Sequence, residues 1–281
     1  MLLSASLSIM SSLFGKRNPS VKNSSLLYSV FVTGAAAFTW GVICVCNAEF
    51  SLDILGYSVL YALFYTLAML GMFKAYQTGP TSLTAFIKQL SLIFVAIWGF
   101  VFWSNPITAN ITIGLVLIVA ALYFCFGIKA KGATENSVSM KWFLYAAMLL
   151  VGNAGCSIVQ KYQNMAHQGK NSNIFMLFAV FISFLVCIAL YAGRDRCKLS
   201  HIKKGSAIFP IVGGISSGLL NLFILLLISS PMSEGIIFPG IAVGGLIITI
   251  LFSTLVYREK PTVFQWIGLG VGAVALVFLN L

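Results

Sequence analysis

The sequence predicts an all-α, polytopic membrane protein with nine to ten transmembrane helices in a five-plus-five inverted repeat, the first helix being short. Three observations lead to this fold class: a large excess of apolar residues, ten hydrophobic segments, and a resemblance between the two halves of the chain. Of the 281 residues, 59% are hydrophobic and 8% are charged, whereas soluble domains are about 45–50% apolar and about 25% charged. This composition excludes a water-soluble enzyme, and the short connections leave no room for a soluble ATPase, receptor or catalytic domain.

The hydrophobic segments are expected to be helices. They stay apolar without alternation for about 20 residues, which is the length that a helix needs to cross a bilayer, whereas the strands of a membrane barrel alternate over about ten. Nine of the ten are long enough to cross, and the first needs a tilt or a thinner membrane. The segments cover roughly residues 1–15, 25–46, 54–77, 81–103, 107–127, 141–160, 172–192, 206–229, 233–256 and 261–281.

Basic residues concentrate in alternate connections between these segments. The odd-numbered connections carry 13 Lys and Arg residues, whereas the even-numbered ones carry only Lys161 and Lys170, together with the acidic Glu49 and Asp53. The positive-inside rule therefore places the odd-numbered connections in the cytoplasm, with both termini outside a plasma membrane if the first segment crosses. This topology and the attraction to anionic lipid headgroups account for the net charge of +11. Membrane lipids are thus expected partners, and nucleic acid is not.

Aromatic and small residues add two expectations about packing. Trp103, Trp142 and Trp266 lie at segment ends, where indole rings favour the membrane interface. Gly214 and Gly218 have the four-residue spacing that lets helix backbones approach closely in lipid. We expect such pairs to pack helices within one monomer rather than to join a homodimer, and either oligomeric state is left open.

The two halves of the chain resemble each other at an offset near 150 residues. Each half holds five segments, an odd number, so the halves must lie in opposite orientations, which is a transporter signature. The halves are residues 1–128 and 141–281, and the basic connection 129–140 joins them. Relative to the second half, the first helix lacks roughly ten residues, so it is either natively short or clipped. The matching triplets and quartets are Ser8-Ile9-Met10 with Ser157-Ile158-Val159, Gly79-Pro80-Thr81-Ser82 with Ser230-Pro231-Met232-Ser233, and Ile113-Gly114-Leu115 with Ile267-Gly268-Leu269.

A series of short motifs along nearly the whole chain resembles the EamA-type members of the drug/metabolite transporter superfamily. The motifs are Gly79-Pro80-Thr81-Ser82-Leu83-Thr84, Ser91-Leu92-Ile93, Asn105-Pro106-Ile107, the run from Pro231 to Pro239, Gly244-Gly245, Arg258-Glu259-Lys260-Pro261 and Gln265-Trp266-Ile267-Gly268. The resemblance implies ten helices in a five-plus-five inverted repeat, secondary transport, and export as its direction. Two departures stand out. Asn105 occupies a position that is usually acidic in the family, as Glu259 is in the second half, and family members usually have cytoplasmic termini.

Polar residues within the apolar segments are functional candidates by default, and Lys88 is the sharpest of them. Thr81, Thr84, Lys88 and Ser91 recur at spacings of three or four, so they share one helix face. A cation on this face could bind a carboxylate or phosphate in a cavity. The alternatives are that Lys88 snorkels to the membrane interface or that it bonds the carbonyls of a neighbouring helix.

Further candidates lie in segments three, six, eight and nine. Asn153 and Gln160 share a face of segment six, and they and Asn221 could bond substrate or only hold helices together. Segment three carries a stripe of tyrosines at a spacing of four, which forms packing or a cavity wall: Tyr57, Tyr61 and Tyr65. Pro239 should break or kink segment nine and free carbonyls that can line a cavity. The predicted substrate-binding residues are Lys88, Thr84, Ser91, Asn153, Gln160, Asn221, Pro239, Tyr61 and Tyr65.

No catalytic or metal-binding pattern accompanies these residues. The sequence has no nucleophile–base–acid set, no P-loop and no cluster of metal ligands, and its two histidines, His167 and His201, are placed in polar connections. Four cysteines fall in apolar stretches, where cysteine packs as a small hydrophobe: Cys44, Cys125, Cys156 and Cys187. The protein is therefore not expected to be an enzyme or to carry a cofactor or metal.

The function that the sequence predicts is transport of a small polar metabolite, amino-acid-like or anionic, by alternating access. All six acidic residues lie near segment ends, so no carboxylate at the bilayer centre is available to carry protons, and proton-coupled export of cationic drugs is disfavoured. Two alternatives are kept: a flippase for a lipid-linked substrate and a membrane scaffold that transports nothing.

Overall fold

Helices make up 90% of the described residues, and none of those residues lies in a strand. The computed structural model describes residues 2–18, 24–46, 52–79, 81–103, 108–124, 139–193, 202–203, 205–228, 248, 251–252, 254–255 and 262–280. The all-α class predicted from the sequence is confirmed. The helices in this part of the chain are α1 (Leu2–Arg17), α2 (Ser24–Cys46), α3 (Leu55–Thr78), α4 (Thr81–Phe102), α5 (Ala109–Leu122), α6 (Met140–His167), α7 (Ser172–Ala192), α8 (Ile208–Ile228) and α9 (Val263–Asn280).

Helices α1 to α8 correspond to predicted segments one to eight, and α9 corresponds to segment ten. Five of them, α2, α3, α6, α7 and α8, are long and apolar enough to cross a membrane. Helix α1 has 16 residues and is about 24 Å long at 1.5 Å per residue. It is therefore shorter than the roughly 30 Å hydrocarbon core. Most of predicted segment nine and most of the basic connection 129–140 lie outside the described residues.

The end of α6 differs from the sequence prediction. The apolar run ends near residue 160, but the helix continues to His167 and stops where Gln168 and Gly169 adopt left-handed conformations, with φ of 52° and 76°. The added turns consist mainly of polar residues that still favour a helix. His167 is thus the last residue of α6, and its placement in a connection was wrong. His201 lies outside the described residues.

The helices pack into a bundle around α3. Helix α3 lies against α6 and α7, α2 against α7 and α8, α1 against α8 and α3, α4 against α6, and α5 against α9. Aromatic rings fill the core where α1, α2 and α3 meet: the Tyr28 and Phe73 rings stack with centroids 4.8 Å apart, and Phe14 lies 5.2 Å from Tyr28. Large apolar side chains on the outside of the bundle, such as Phe38 and Phe223, are more than half exposed, as expected of a surface that lipid covers.

Two glycines allow α3 and α6 to touch along their backbones. A Cβ atom added at Gly71 would lie 2.6 Å from the backbone nitrogen of Leu149, and one added at Gly152 would lie 2.7 Å from the carbonyl oxygen of Phe64. Real Cβ atoms do not approach backbone atoms so closely. The glycines are therefore a condition for this helix contact.

Gly214 and Gly218 are used in the same way between α8 and α2. A Cβ atom at Gly214 would collide with the carbonyl oxygen of Val32, and one at Gly218 would lie 3.0 Å from the side chain of Thr39. Both neighbours belong to the same chain, so this pair packs helices within the monomer.

Trp142 is not an interfacial tryptophan. Its side chain is fully buried between α3 and α4, and its ring lies where a Cβ atom of residue 79 would be, so Gly79 makes room for it. Its Nε1 donates a hydrogen bond to Thr84. The sequence prediction failed here because an indole at the end of an apolar run can equally be covered by a neighbouring helix. Trp266, by contrast, is 49% exposed.

Candidate functional site

A cavity of about 80 Å³ lies inside the bundle between α1, α3, α4, α6 and α8. A single water needs about 10–15 Å³ on the same scale, so the cavity has room for several waters or a small solute. Apolar side chains such as Met69, Met72 and Leu149 form part of its wall. Six of the nine predicted site residues line it: Tyr61, Tyr65, Lys88, Asn153, Gln160 and Asn221.

Lys88 brings a cation into this cavity. Its side chain is only 6% exposed, and its Nζ donates hydrogen bonds to the Ser8 hydroxyl at 3.2 Å and to the Ser4 carbonyl at 3.4 Å. Both partners belong to α1, so Lys88 does not snorkel to the interface. No described carboxylate forms an ion pair with it. Because burying a charge is costly unless it is paired, neutral dipoles alone balance this ammonium poorly.

Thr84 and Ser91, on the same face of α4, bond to α6. The Asn153 Nδ2 donates to the Ser91 hydroxyl at 2.6 Å and to the Lys88 carbonyl at 3.4 Å. The Trp142 Nε1 donates to the Thr84 hydroxyl at 3.1 Å. Ser91 and Thr84 therefore lie outside the cavity wall, and they fix the position of the helix that carries Lys88.

The two tyrosines on α3 form a wall that is bonded to α8. The rings of Tyr61 and Tyr65 stack with centroids 5.9 Å apart. The Tyr61 hydroxyl donates to the Asn221 side chain at 3.3 Å, and the Tyr65 and Ser217 hydroxyls are 2.9 Å apart. Tyr57, the third member of the predicted stripe, instead makes an edge contact with the His167 ring at 5.9 Å.

Gln160 brings an unpaired hydrogen-bond donor to the same wall. Its side chain is 3% exposed, and its Nε2 is buried without a hydrogen-bond partner among the described residues. A buried donor left unpaired costs about 1–3 kcal/mol, so an acceptor bound beside Gln160 would supply the partner that the described residues do not.

Several residues that line the cavity or bond its lining residues were missed by the sequence analysis. Ser4 and Ser8 hold the Lys88 ammonium, and Ser217 bonds Tyr65. A signal for the first two was present, because serines four residues apart in a short apolar segment share one helix face. Pro239, the remaining predicted site residue, lies outside the described residues.

Cys44, Cys156 and Cys187 are free thiols that are buried within helices. Cys156 lines the cavity, and its Sγ lies 3.9 Å from the Tyr61 carbonyl. Within the described ranges, no group of three or more His, Cys, Asp or Glu residues is placed to hold a metal ion.

Comparisons with known proteins identify a shared fold. No protein-family model matches the sequence, and no curated protein matches it. A solved crystal structure of a protein matches with a TM-score of 0.67, over 99% of this chain and 94% of the other. The two sequences are 9% identical, so this likeness concerns the arrangement of the helices alone.

Proposed function

We propose that the protein is a secondary transporter of the EamA type that moves a small polar metabolite, amino-acid-like or anionic, across the plasma membrane, with export as its direction. The observation that carries this proposal is the buried Lys88 in the wall of a cavity inside an apolar bundle. Ionisable residues within a membrane are costly, and where they persist they mark substrate or ion pathways.

The cavity lies between the proposed halves of the chain, which supports the transporter assignment. Helices α1, α3 and α4 come from residues 1–128, and α6 and α8 come from residues 141–281. Transporters built from inverted repeats bind their substrates at this interface between repeats.

The pairing of helices supports the inverted repeat itself. A repeat of five segments makes α1 equivalent to α6, α2 to α7, α3 to α8 and α5 to α9. The contact of α3 with α6 is then equivalent to that of α8 with α1, and the contact of α2 with α8 to that of α7 with α3. All four contacts are present. The contacts of α2 with α7 and of α5 with α9 map onto themselves. The weaker contact of α1 with α3 has no counterpart of similar extent between α6 and α8. We infer from this pattern a two-fold relation between the halves, with residues 233–256 as the ninth of ten segments.

Alternating access would then be a rocking of one half against the other. The hydroxyl bonds from Tyr61 to Asn221 and from Tyr65 to Ser217 cross between the halves, so they are among the contacts that must break and re-form. In this mechanism Lys88 supplies charge, Asn153 and Asn221 supply hydrogen bonds, and Pro239 supplies the helix break.

The test compares solutes inside and outside cells that express the wild type or variants at matched membrane levels. We expect the wild type to deplete a defined set of solutes from the cells and Lys88→Met to lose the anionic ones by at least about tenfold, which corresponds to 1.4 kcal/mol. Lys74→Met is the matched control, because Lys74 lies over the Tyr145 ring at 5.1 Å and does not line the cavity.

Either of two results would overturn the proposal. If the wild type shifts no solute relative to cells that lack the protein, small-metabolite transport fails. If Lys88→Met exports the same solutes as fast as the wild type, the cavity is not the pathway. A change confined to lipid-linked molecules would assign the protein to the flippases instead.

A further inference from the structure

Two side chains give the cavity wall different chemistries. Lys88 brings an ammonium group, which the hydroxyl and carbonyl groups of Ser4 and Ser8 contact. Gln160, which also lines the cavity, brings a buried Nε2 donor without a hydrogen-bond partner among the described residues. Asn153, which bonds the Lys88 carbonyl, precedes Gln160 by seven residues on α6, a separation of about 10 Å along the helix axis.

The charges around the cavity favour an anion over a zwitterion. Among the described residues that line it, Lys88 is the one charged side chain, and none is a carboxylate. A substrate ammonium group would therefore enter beside a buried cation with no opposing charge, which is unfavourable in a medium of low dielectric constant. A substrate carboxylate would instead neutralise Lys88 and accept its hydrogen bonds.

We propose that the substrate is a small carboxylate that carries a neutral hydrogen-bond acceptor at its far end, so that the carboxylate pairs with Lys88 and the acceptor accepts a hydrogen bond from the Gln160 Nε2. Short oxo acids have this chemistry. The inference rests on the proposed function, because it specifies the substrate class of the same cavity. A cavity of about 80 Å³ suits a molecule of few heavy atoms.

Three carboxylates test this inference, each with a main chain of five carbon or nitrogen atoms. Pentanoate has a methyl group at its far end, 4-oxopentanoate adds a carbonyl acceptor, and 4-aminobutanoate carries an ammonium donor. Titration of each into the purified protein in detergent gives its Kd. We expect the wild type to bind 4-oxopentanoate about tenfold more tightly than pentanoate, since a hydrogen bond to a buried unpaired group is gained, and to bind 4-aminobutanoate most weakly.

Variants of Gln160 and of Lys88 should separate the contact with the acceptor from the contact with the carboxylate. Gln160→Leu should make the affinities for pentanoate and 4-oxopentanoate equal. Gln160→Glu should reverse the order in favour of 4-aminobutanoate, and Lys88→Met should weaken all three by at least about tenfold. Gln163→Leu is the matched control: Gln163 is a buried glutamine of the same helix, but it donates to the Lys170 carbonyl outside the cavity. This variant should keep the wild-type ratio.

The outcomes distinguish the inference from the proposed function. Equal affinities for pentanoate and 4-oxopentanoate in the wild type, or a ratio that survives in Gln160→Leu, overturn the inference, even if vesicles containing the protein exchange both solutes. The expected ratios without any exchange across the vesicle membrane uphold the inference and overturn transport. Binding of none of the three overturns the inference, and solute export from cells still decides transport. If Gln160→Leu does not fold, as judged by its thermal unfolding, Gln160→Met replaces it.

Discussion

Hydroxyl groups buried between helices act as single, removable links. The Tyr65 hydroxyl and the Ser217 hydroxyl, 2.9 Å apart, join α3 to α8. Tyr65→Phe and Ser217→Ala each delete one oxygen and leave the packing nearly unchanged. Because hydrogen bonds between membrane helices average about 0.6 kcal/mol, we expect the double-mutant cycle on the free energy of unfolding in detergent to give a coupling near that value.

The control pairs Tyr145→Phe with Ser217→Ala. Tyr145 packs on α6 near Ala75, Trp142 and Ala146 and does not line the cavity, so these two changes should add without coupling, as independent sites do. A coupling of zero between Tyr65 and Ser217 would contradict the observed bond. A coupling of several kcal/mol would mean that the whole wall of the cavity rearranges when one hydroxyl is lost.

At the level of single residues, the sequence could indicate which side chains turn inward but not what they contact. Lys88 and Asn153 line the cavity, because a polar group inside an apolar bundle avoids lipid. Ser91 shares a face with Lys88, yet it bonds Asn153 and does not line the cavity. Helix spacing fixes a direction around one helix, whereas the partner in that direction depends on how neighbouring helices pack.

Among the contacts between helices, that of α3 with α6 depends on a glycine, Gly152. A Cβ atom at Gly152 would lie 2.7 Å from the Phe64 carbonyl oxygen, so the helices must separate to admit a side chain. Overpacking of this kind costs about 1–3 kcal/mol. We therefore expect Gly152→Ala to lower the thermal unfolding midpoint in detergent and to reduce the amount of protein in the membrane.

Gly41 provides the matched comparison on α2. It is also a helical glycine, but a Cβ atom there would meet nothing within 4 Å. Gly41→Ala should leave the unfolding midpoint unchanged or raise it, because alanine favours the helix by about 1 kcal/mol over glycine. Equal destabilisation by Gly41→Ala and Gly152→Ala would contradict the close approach of α3 and α6.

Helix identity followed from the sequence more readily than helix ends. The apolar runs located α1 to α8 and α9, because a segment that must bury its backbone polar groups in lipid has few alternatives to a helix. The end of α6 could not be predicted from the apolar run. Hydrophobicity marks where the chain leaves the lipid, whereas the left-handed Gln168 marks where the helix ends.

The relative directions of α4 and α6 determine how the chain between them must cross the membrane. Contacts between α4 and α6 advance together along both helices, from Thr84 with Trp142, through Ser91 with Asn153, to Trp98 with Tyr162. The two helices therefore run in the same direction. The chain must cross the membrane once between them, so we expect α5 (Ala109–Leu122) to belong to a crossing segment even though its 14 helical residues are few for a span.

The orientation of the whole molecule can be tested at the two ends of α7. This helix has 21 residues and is about 31 Å long, which matches the hydrocarbon core, so Lys170 before it and Lys203 after it should lie on opposite sides of the membrane. Both side chains are exposed. Because the basic connections should be cytoplasmic, a membrane-impermeant amine reagent applied to intact cells should label Lys170, and Lys203 should react only after permeabilisation.

Peptide mass spectrometry measures both sites in one sample, and permeabilised cells show that both lysines can react. Labelling of Lys203 but not Lys170 in intact cells would invert the topology and give the protein the cytoplasmic termini that are usual in the family that it resembles.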